Sequence, residues 1–225
     1  MKPINIAGVE ILLDVKEQYI QINDSSESDL RTAWPQIVAS YPGYQIFFCY
    51  HNNKPPINFM NEINAELLDD SLEMRLLCKD ISFTSSPNIV QVTEANFDNF
   101  AVYHDKCNPG PDMHWTSRRL KEDLSRWLIF ISQPRGQING YTMLSMWDPA
   151  CAEIFCLEAT GLADGAAIAS TAITAAFEAG KSEILYMTEG KLGEEIAKEL
   201  GFSHKGYYKG YRAYTNPGQP HTKGK

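Results

Sequence analysis

The sequence is short of basic side chains. Lys and Arg number 20 against 28 Asp and Glu, a formal net charge of −8. Between Arg135 and Lys181 there is no Lys or Arg at all. A sequence-independent grip on nucleic acid needs a basic face that displaces counterions, so this charge balance argues against such a partner. It is compatible with a cationic substrate such as an amine. The five cysteines (Cys49, Cys78, Cys107, Cys151 and Cys156) are odd in number and form no CxxC pair, which leaves no disulfide framework to infer. No apolar run is long enough to span a bilayer. Met1-Lys2-Pro3 leads into a mixed segment holding Glu10 and Asp14 rather than the apolar core of a secretory leader. The expectation is a reduced, cytoplasmic chain without a membrane partner.

What is present suits an ordinary buried core: 44% of the 225 residues are hydrophobic and 21% are charged. Two regions separate where Ser82-Phe83-Thr84-Ser85-Ser86-Pro87 interrupts the pattern. The expected organisation is an N-terminal α/β region over 1–84, a second domain over 88–215 and a polar tail over 216–225. In the first region a strand is expected over 9–14 and a helix over 27–39 capped by Ser26 or Ser28. A strand over 44–50, a helix over 57–68 and a strand over 72–77 follow. In the second, a strand over 89–92 precedes a helix capped by Thr93, and Thr116 starts a charged helix reaching Arg126. A hairpin then turns at Gln133-Pro134-Arg135-Gly136.

The densest signal lies between Glu153 and Tyr214. An apolar strand over 153–159 enters the loop Gly161-Leu162-Ala163-Asp164-Gly165, which opens a small-residue helix ending at Gly180. A strand over 183–188, a short helix ending at Gly201-Phe202 and a Tyr-rich hairpin follow. Strand, glycine turn and helix N-terminus in that order favour an anion, through unpaired N–H groups and the helix dipole. Gly165 would let the backbone approach a pyrophosphate without a Cβ, and Ala166 and Ala167 are small enough to leave their N–H groups open. The segment 44–65 shares this layout: strand, Asn53, helix, then Asn64-Ala65, at the offsets of Gly190 and Gly201-Phe202. A degenerate second copy and an unrelated strand–helix unit both fit that match.

With Leu157 and Ala159 ending the strand, the loop 162–167 following, and Gly201-Phe202 preceding Gly206, Tyr208 and Tyr211, the stretch 89–215 resembles the GNAT superfamily of N-acetyltransferases. The resemblance implies an α+β fold, a mixed, twisted, mostly antiparallel sheet flanked by helices, of acyl-CoA N-acyltransferase type. It implies acetyl-CoA as acyl donor, no metal, and a small-molecule or peptide amine as acceptor; a homodimer stays open. Leu157, Glu158, Ala159, Leu162, Asp164, Gly165, Ala166 and Ala167 would bind the cofactor. After Leu157 the strand would splay, so that 157–159 pair with pantetheine amides and the Leu157 amide holds the oxyanion. Leu162 stands where the family has Arg or Gln, and Ala197 where it has an acidic tyrosine. Those departures keep a second reading open, a catalytically reduced CoA-binding or regulatory module.

Acyl transfer to an amine needs a base, an oxyanion donor and an acid for the thiolate. The resemblance makes Glu153 the first choice of base, against a solvated strand-end carboxylate. Glu153 and Glu158 are an odd number apart, which would place them on opposite faces of a regular strand. Tyr207 and Tyr208 are the acid candidates, with Tyr211 and Tyr186 behind them, against tyrosines that simply pack. Trp115 and His114 would line an acceptor pocket or anchor the core. Arg118 and Arg119 form the nearest basic cluster for phosphate, or a solvated face. His104, Cys107 and His114 have no recognised zinc spacing, and Cys156 has no basic neighbour to make it a nucleophile.

Overall fold

The computed structural model describes residues 1–78, 88–109, 114–188 and 190–216. Most of the expected boundary at 80–88 lies outside these residues, as do Gly110–Met113 of the loop before His114 and the tail from 217. In chain order the strands and helices are β1 (Lys2–Ile6), β2 (Val9–Asp14), β3 (Tyr19–Asn23), α1 (Glu27–Ser40), β4 (Gln45–His51), α2 (Ile57–Glu62) and β5 (Glu66–Leu77). Then come β6 (Ile89–Gln91), α3 (Phe97–Cys107), α4 (Ser117–Glu122), β7 (Trp127–Ser132), β8 (Gly140–Ser145) and β9 (Cys151–Glu158). α5 (Leu162–Glu178), β10 (Glu183–Thr188), α6 (Gly190–Glu199) and β11 (Ser203–Tyr214) complete the chain.

These elements group into two compact units, one of Met1–Ser71 with the chain from Gly206 onward, the other of Leu72–Lys205. The grouping differs from the expected division into 1–84 and 88–215, because β5 and β11 each pass from one unit to the other. The strand after α2 ends beside β10, and the strand after α6 ends beside β4.

In the first unit β1, β2 and β3 run antiparallel, β3 and β4 parallel, and β4 and β11 antiparallel. Val9, Ile11 and Leu13 alternate inward and meet Leu30, Ala33 and Ile37, which recur on one face of α1. Ser26 caps α1 by accepting from the Asp29 N–H at 3.2 Å. α2 ends at Glu62, short of the expected helix over 57–68. Asn64 takes a left-handed φ of 54°, and the Ala65 N–H returns to the Met60 carbonyl at 2.8 Å. The chain then leaves directly as β5.

In the second unit the strand order is β5-β10-β9-β8-β7-β6, antiparallel except for the β9–β10 pair. One face of this sheet carries α5 and α6, through Ile168, Ala172, Ile173 and Ile196 packed on Ile154, Ile184 and Tyr186. The small residues of α5 allow that close approach. The other face carries α3 and α4, through Phe97, Phe100 and Leu120 on Trp127, Ile129 and Met143. Thr93 does not cap α3: its N–H donates to Asn96 Oδ1 at 2.7 Å in a turn, and the helix starts at Phe97. The helix expected up to Arg126 stops at Glu122 and continues as a 3-10 turn, Leu124–Arg126. The Tyr-rich segment is no hairpin but the single twelve-residue strand β11.

The order of elements recurs. β1-β2-β3-α1-β4 and β7-β8-β9-α5-β10 each place two antiparallel pairings before a parallel pair joined through a helix. The next helix ends on a left-handed residue in both, Asn64 and Gly201. The Phe202 N–H returns to the Ala197 carbonyl at 2.9 Å, as Ala65 does to Met60.

Candidate functional site

The parallel ladder between β9 and β10 runs from Cys151–Glu183 to Ile154–Tyr186. β9 continues to Glu158 and β10 to Thr188 without a further rung between them among the described residues. On its other side β9 stays paired with β8 through Met143–Cys156, Thr142–Leu157 and Tyr141–Glu158. Between these pairs and Leu144–Ile154 the register shifts, which makes Phe155 the extra residue of a β-bulge. The bulge bends β9, and the last rung between the two parallel strands lies just before it, at Ile154. The opening therefore begins at Phe155, earlier than the splay expected after Leu157.

The equivalent place in the first unit is closed. β3 and β4 pair along their shared length, from Tyr19–Gln45 to Asn23–Cys49. Asp24 then donates its N–H to the Cys49 carbonyl at 2.9 Å and accepts from the His51 N–H at 2.9 Å. The first turn of α1 is capped by Ser26 and carries Glu27 and Asp29, which repel an anion.

At the end of the open fork, α5 begins. Gly161 occupies its N-cap position with no side-chain cap bond, and the Gly165 N–H donates to the Gly161 carbonyl at 2.9 Å. The N–H groups without an intrahelical acceptor are those of Leu162, Ala163 and Asp164. They lie earlier in the loop than the open N–H groups expected at Ala166 and Ala167. Gly165 has its N–H engaged, and Ala166 and Ala167 lie beyond it, inside the helical ladder. Gly165 is glycine for packing: a Cβ there would stand 2.4 Å from Ile196 Cδ1 and 3.1 Å from Ala159 Cβ.

Asp164 is held by two hydroxyl donors, Ser132 Oγ at 2.9 Å and Thr160 Oγ1 at 3.2 Å. Its carboxylate ties the loop to β7. Leu162 is exposed, and Leu157 packs against the core beneath α5. Glu158 is half-buried, and desolvation raises its pKa. Its charge is felt by Tyr103 and Cys107 on α3, so it faces that layer.

The bulge changes the reading of the two glutamates. Ala152 and Ile154 point into the α5 core, which turns Glu153 to the α3 side together with Phe155. Phe155 and Cys156 then both pack on the α3 side, and the alternation restarts one residue out of phase. Glu153 and Glu158 consequently share one face, contrary to the parity expected of a regular strand. Glu153 also lies in a cross-sheet row with Ser145 and Trp127.

Tyr207 and Tyr208 belong to the first unit. The Tyr208 hydroxyl donates to Cys49 Sγ at 3.4 Å and its ring lies 5.0 Å from His51. The Tyr207 N–H donates to Asn52 Oδ1 at 2.9 Å. The structure thus builds them onto β4 and does not group them with Glu153 and the α5 loop. Ala197 is wholly buried in the core of the second unit. Arg118 pairs with Glu122, and Arg119 Nη1 lies 2.6 Å from His114 Nδ1. Trp115 anchors the core, 5.0 Å from Trp127 and 5.3 Å from Trp147 between ring centres.

Sequence spacing gave no sign of the buried network behind the fork. His104 Nε2 lies 2.9 Å from the Trp115 carbonyl, which can only accept, so Nε2 carries the proton. Nδ1 then accepts from the Tyr141 hydroxyl at 3.0 Å. That oxygen in turn accepts from Asn108 Nδ2 at 2.9 Å and from the Cys156 thiol at 3.3 Å. Burial lowers the His104 pKa and raises that of Tyr141. Cys156, half-buried, acts as a thiol donor, and the network ties α3, β8 and β9 together. On its rim Tyr103 is pushed up to about 12, first by burial. Among the described residues no three His, Cys, Asp or Glu side chains converge to hold a metal, and no helix is long and apolar enough to cross a membrane.

No family model and no curated protein matches this sequence. In three dimensions the chain is similar to solved structures. One is a functionally unknown conserved protein from Staphylococcus epidermidis, at a TM-score of 0.66 and 12% identity, over 93% of this chain and 92% of that one. Another is a GCN5-related N-acetyltransferase from Kribbella flavida, at 0.66 and 11%, over 98% and 91%. A third is a tandem GNAT protein from the clavulanic acid biosynthesis pathway, at 0.56 and 11%, over 95% and 80%.

Proposed function

We propose that this chain, which has the fold of the GCN5-related N-acetyltransferases, is an N-acyltransferase that moves an acetyl group from acetyl-CoA to a primary amine. The observation that carries the reading is the fork of the second unit. There β9 and β10 separate at a bulge beside a helix N-terminus with no side-chain cap. The counterpart in the first unit is sealed by Asp24.

The ladder between β9 and β10 ends at Ile154–Tyr186, and the strand edge beyond it fits an extended chain of amides. The N–H groups of Leu162, Ala163 and Asp164 fit a pyrophosphate. Acetyl-CoA, when bound, supplies an activated thioester. With no Lys or Arg between Arg135 and Lys181, backbone dipoles carry most of the anion binding, and its affinity is modest. Glu153, on the face of the sheet opposite α5, takes the proton of the attacking amine directly or through water. The Leu157 amide is the donor to the oxyanion. A surplus of acidic side chains favours a small-molecule or peptide acceptor that arrives as a cation.

One observation favours a second reading, a CoA-binding or regulatory module without turnover: position 197 carries only an alanine, buried in the core. The two are separated by thermal shift with acetyl-CoA, followed by thiol release with a panel of amines. Stabilisation with thiol release supports the enzyme, and stabilisation without release for any amine supports the module. No stabilisation well above micromolar ligand removes both, because a ligand that binds the folded state must raise its stability.

A further inference from the structure

Trp147 stands in the turn between β8 and β9, and both of its chain neighbours are pinned. The buried Lys181 donates from Nζ to the Met146 carbonyl at 3.1 Å and to the Asp148 carbonyl. The Asp148 carboxylate accepts the N–H groups of Ala150 and Cys151 at 2.8 and 2.9 Å. The exposed indole of Trp147 is thereby fixed, with its ring centre 5.3 Å from that of Trp115 and 6.4 Å from that of Trp127. Over it lies the Arg126 guanidinium, whose carbon is 5.5 Å from the ring centre. The Arg126 carbonyl accepts from the Met146 N–H at 2.9 Å, so the backbone on both sides of this contact is tied. Arg126 is exposed, and among the described residues no carboxylate pairs with it. Other cations of the unit are engaged: Arg75 with Glu183, Arg118 with Glu122 and Lys121 with Asp98.

Arg126 precedes Trp127, which begins the row Trp127–Ser145–Glu153. Two strand spacings, about 10 Å, separate the ends of that row. The Trp127 ring lies 5.5 Å from that of Phe155, the half-buried bulge residue where the fork opens. One face of the sheet thus carries a carboxylate, an aromatic wall and a guanidinium. The α5 loop is tied to Ser132 at the far end of β7, about 20 Å along the strand from Arg126. This cation is therefore placed away from the proposed pyrophosphate site.

We infer that the acceptor is an amine that also bears a carboxylate, as an amino acid does, and that Arg126 selects it. The amine meets Glu153, the carboxylate meets Arg126, and the apolar body lies along Phe155 and Trp147. The inference rests on the acyltransferase reading and narrows its acceptor. A guanidinium offers two parallel N–H donors that match one carboxylate. Seating it over an indole that is already fixed lowers the freedom lost on binding. The net negative charge of the chain is screened beyond about 10 Å, so inside the site the nearest charges decide.

The test uses matched acceptors that differ only in the carboxylate: L-phenylalanine with phenethylamine, and L-leucine with isoamylamine. Wild type, Arg126→Gln and Arg126→Lys are compared with acetyl-CoA as donor, and stabilisation by coenzyme A is recorded for each. Wild type is expected to favour the carboxylated member of at least one pair by about 10-fold or more in kcat/KM. Arg126→Gln brings that ratio to within about twofold of one, through KM rather than kcat, and Arg126→Lys restores part of it. A wild type that uses the plain amines as well as the amino acids, or a ratio that survives Arg126→Gln, overturns the inference. Binding is read separately by tryptophan fluorescence, since Trp147 lies under the guanidinium. If coenzyme A binds and no amine is acetylated, the acyltransferase reading falls. A fluorescence response to either amino acid that Arg126→Gln abolishes then still upholds the carboxylate site, and its absence overturns that site as well.

Discussion

His104 Nδ1 accepts a hydrogen bond from the Tyr141 hydroxyl at 3.0 Å, and this one contact joins α3 to β8 behind the open fork. Both side chains are wholly buried. Nε2 carries a proton, because the Trp115 carbonyl can only accept, and burial disfavours the charged form of the ring. Three further groups depend on that arrangement: the Trp115 carbonyl, the Asn108 side-chain amide and the Cys156 thiol.

Tyr141→Phe removes the shared oxygen and strands buried polar atoms on His104 and Asn108. The expected loss is about 1–3 kcal/mol of unfolding free energy, measured by urea denaturation at neutral pH. A loss below about 0.5 kcal/mol would show that water replaces the hydroxyl.

His104 also makes stability depend on pH. Burial lowers its folded-state pKa below the ordinary value of about 6.5. As pH falls through that ordinary value, the unfolded chain takes up a proton that the folded chain refuses. The contribution is complete above about pH 6.5 and is lost progressively below it. The urea midpoint is expected to fall between about pH 7 and pH 5, and His104→Gln to flatten that slope whatever it does to the level.

Gly165→Ala tests why the loop carries a glycine. The new Cβ meets Ile196 Cδ1, and overpacking of this kind costs about 1–3 kcal/mol. Ile196→Val deletes that methyl and is expected to recover much of the loss in the double variant. Absence of coupling in the cycle would mean that the glycine serves the ligand rather than the α5–α6 contact.

Leu162→Arg adds a cation to the first turn of α5, where Leu162 is exposed. Tighter binding of coenzyme A by about 0.3–1 kcal/mol is expected at low salt, and the gain shrinks as salt is added. Calorimetric titration at two ionic strengths reads both. A salt-independent gain would not be electrostatic.

Glu153→Gln keeps the shape of the site and removes the base. Turnover with acetyl-CoA is expected to fall by about 100-fold or more, with stabilisation by coenzyme A retained. Glu158→Gln on the same face is the control, since its carboxyl stands by Tyr103 and Cys107. A rate unchanged in Glu153→Gln removes Glu153 from the mechanism.

Much of the fold was legible because its signals are local. Val9–Asp14 alternates at the strand period, Ser26 precedes a helical face, and Gly201 follows one. The expected helix over 57–68 runs past the end of α2 because Phe59, Met60 and Ile63 keep helical spacing up to the point where Asn64 turns left-handed. The place of the loop was legible from adjacent residues, but the packing of its glycine was not. The neighbour that requires it, Ile196, is thirty-one residues away.

By itself the sequence determined where strand, loop and helix lie between Glu153 and Phe202, and that this stretch resembles an acyl-CoA site. Periodicity and turn chemistry are properties of adjacent residues. The tertiary structure alone decided that Phe155 is a bulge and that Glu153 and Glu158 share a face. It also decided that the β9–β10 ladder ends at Tyr186, and that Tyr207 and Tyr208 belong to the other unit. Each of these depends on register against a strand distant in the chain. A shift of one residue in pairing turns every later side chain to the opposite face.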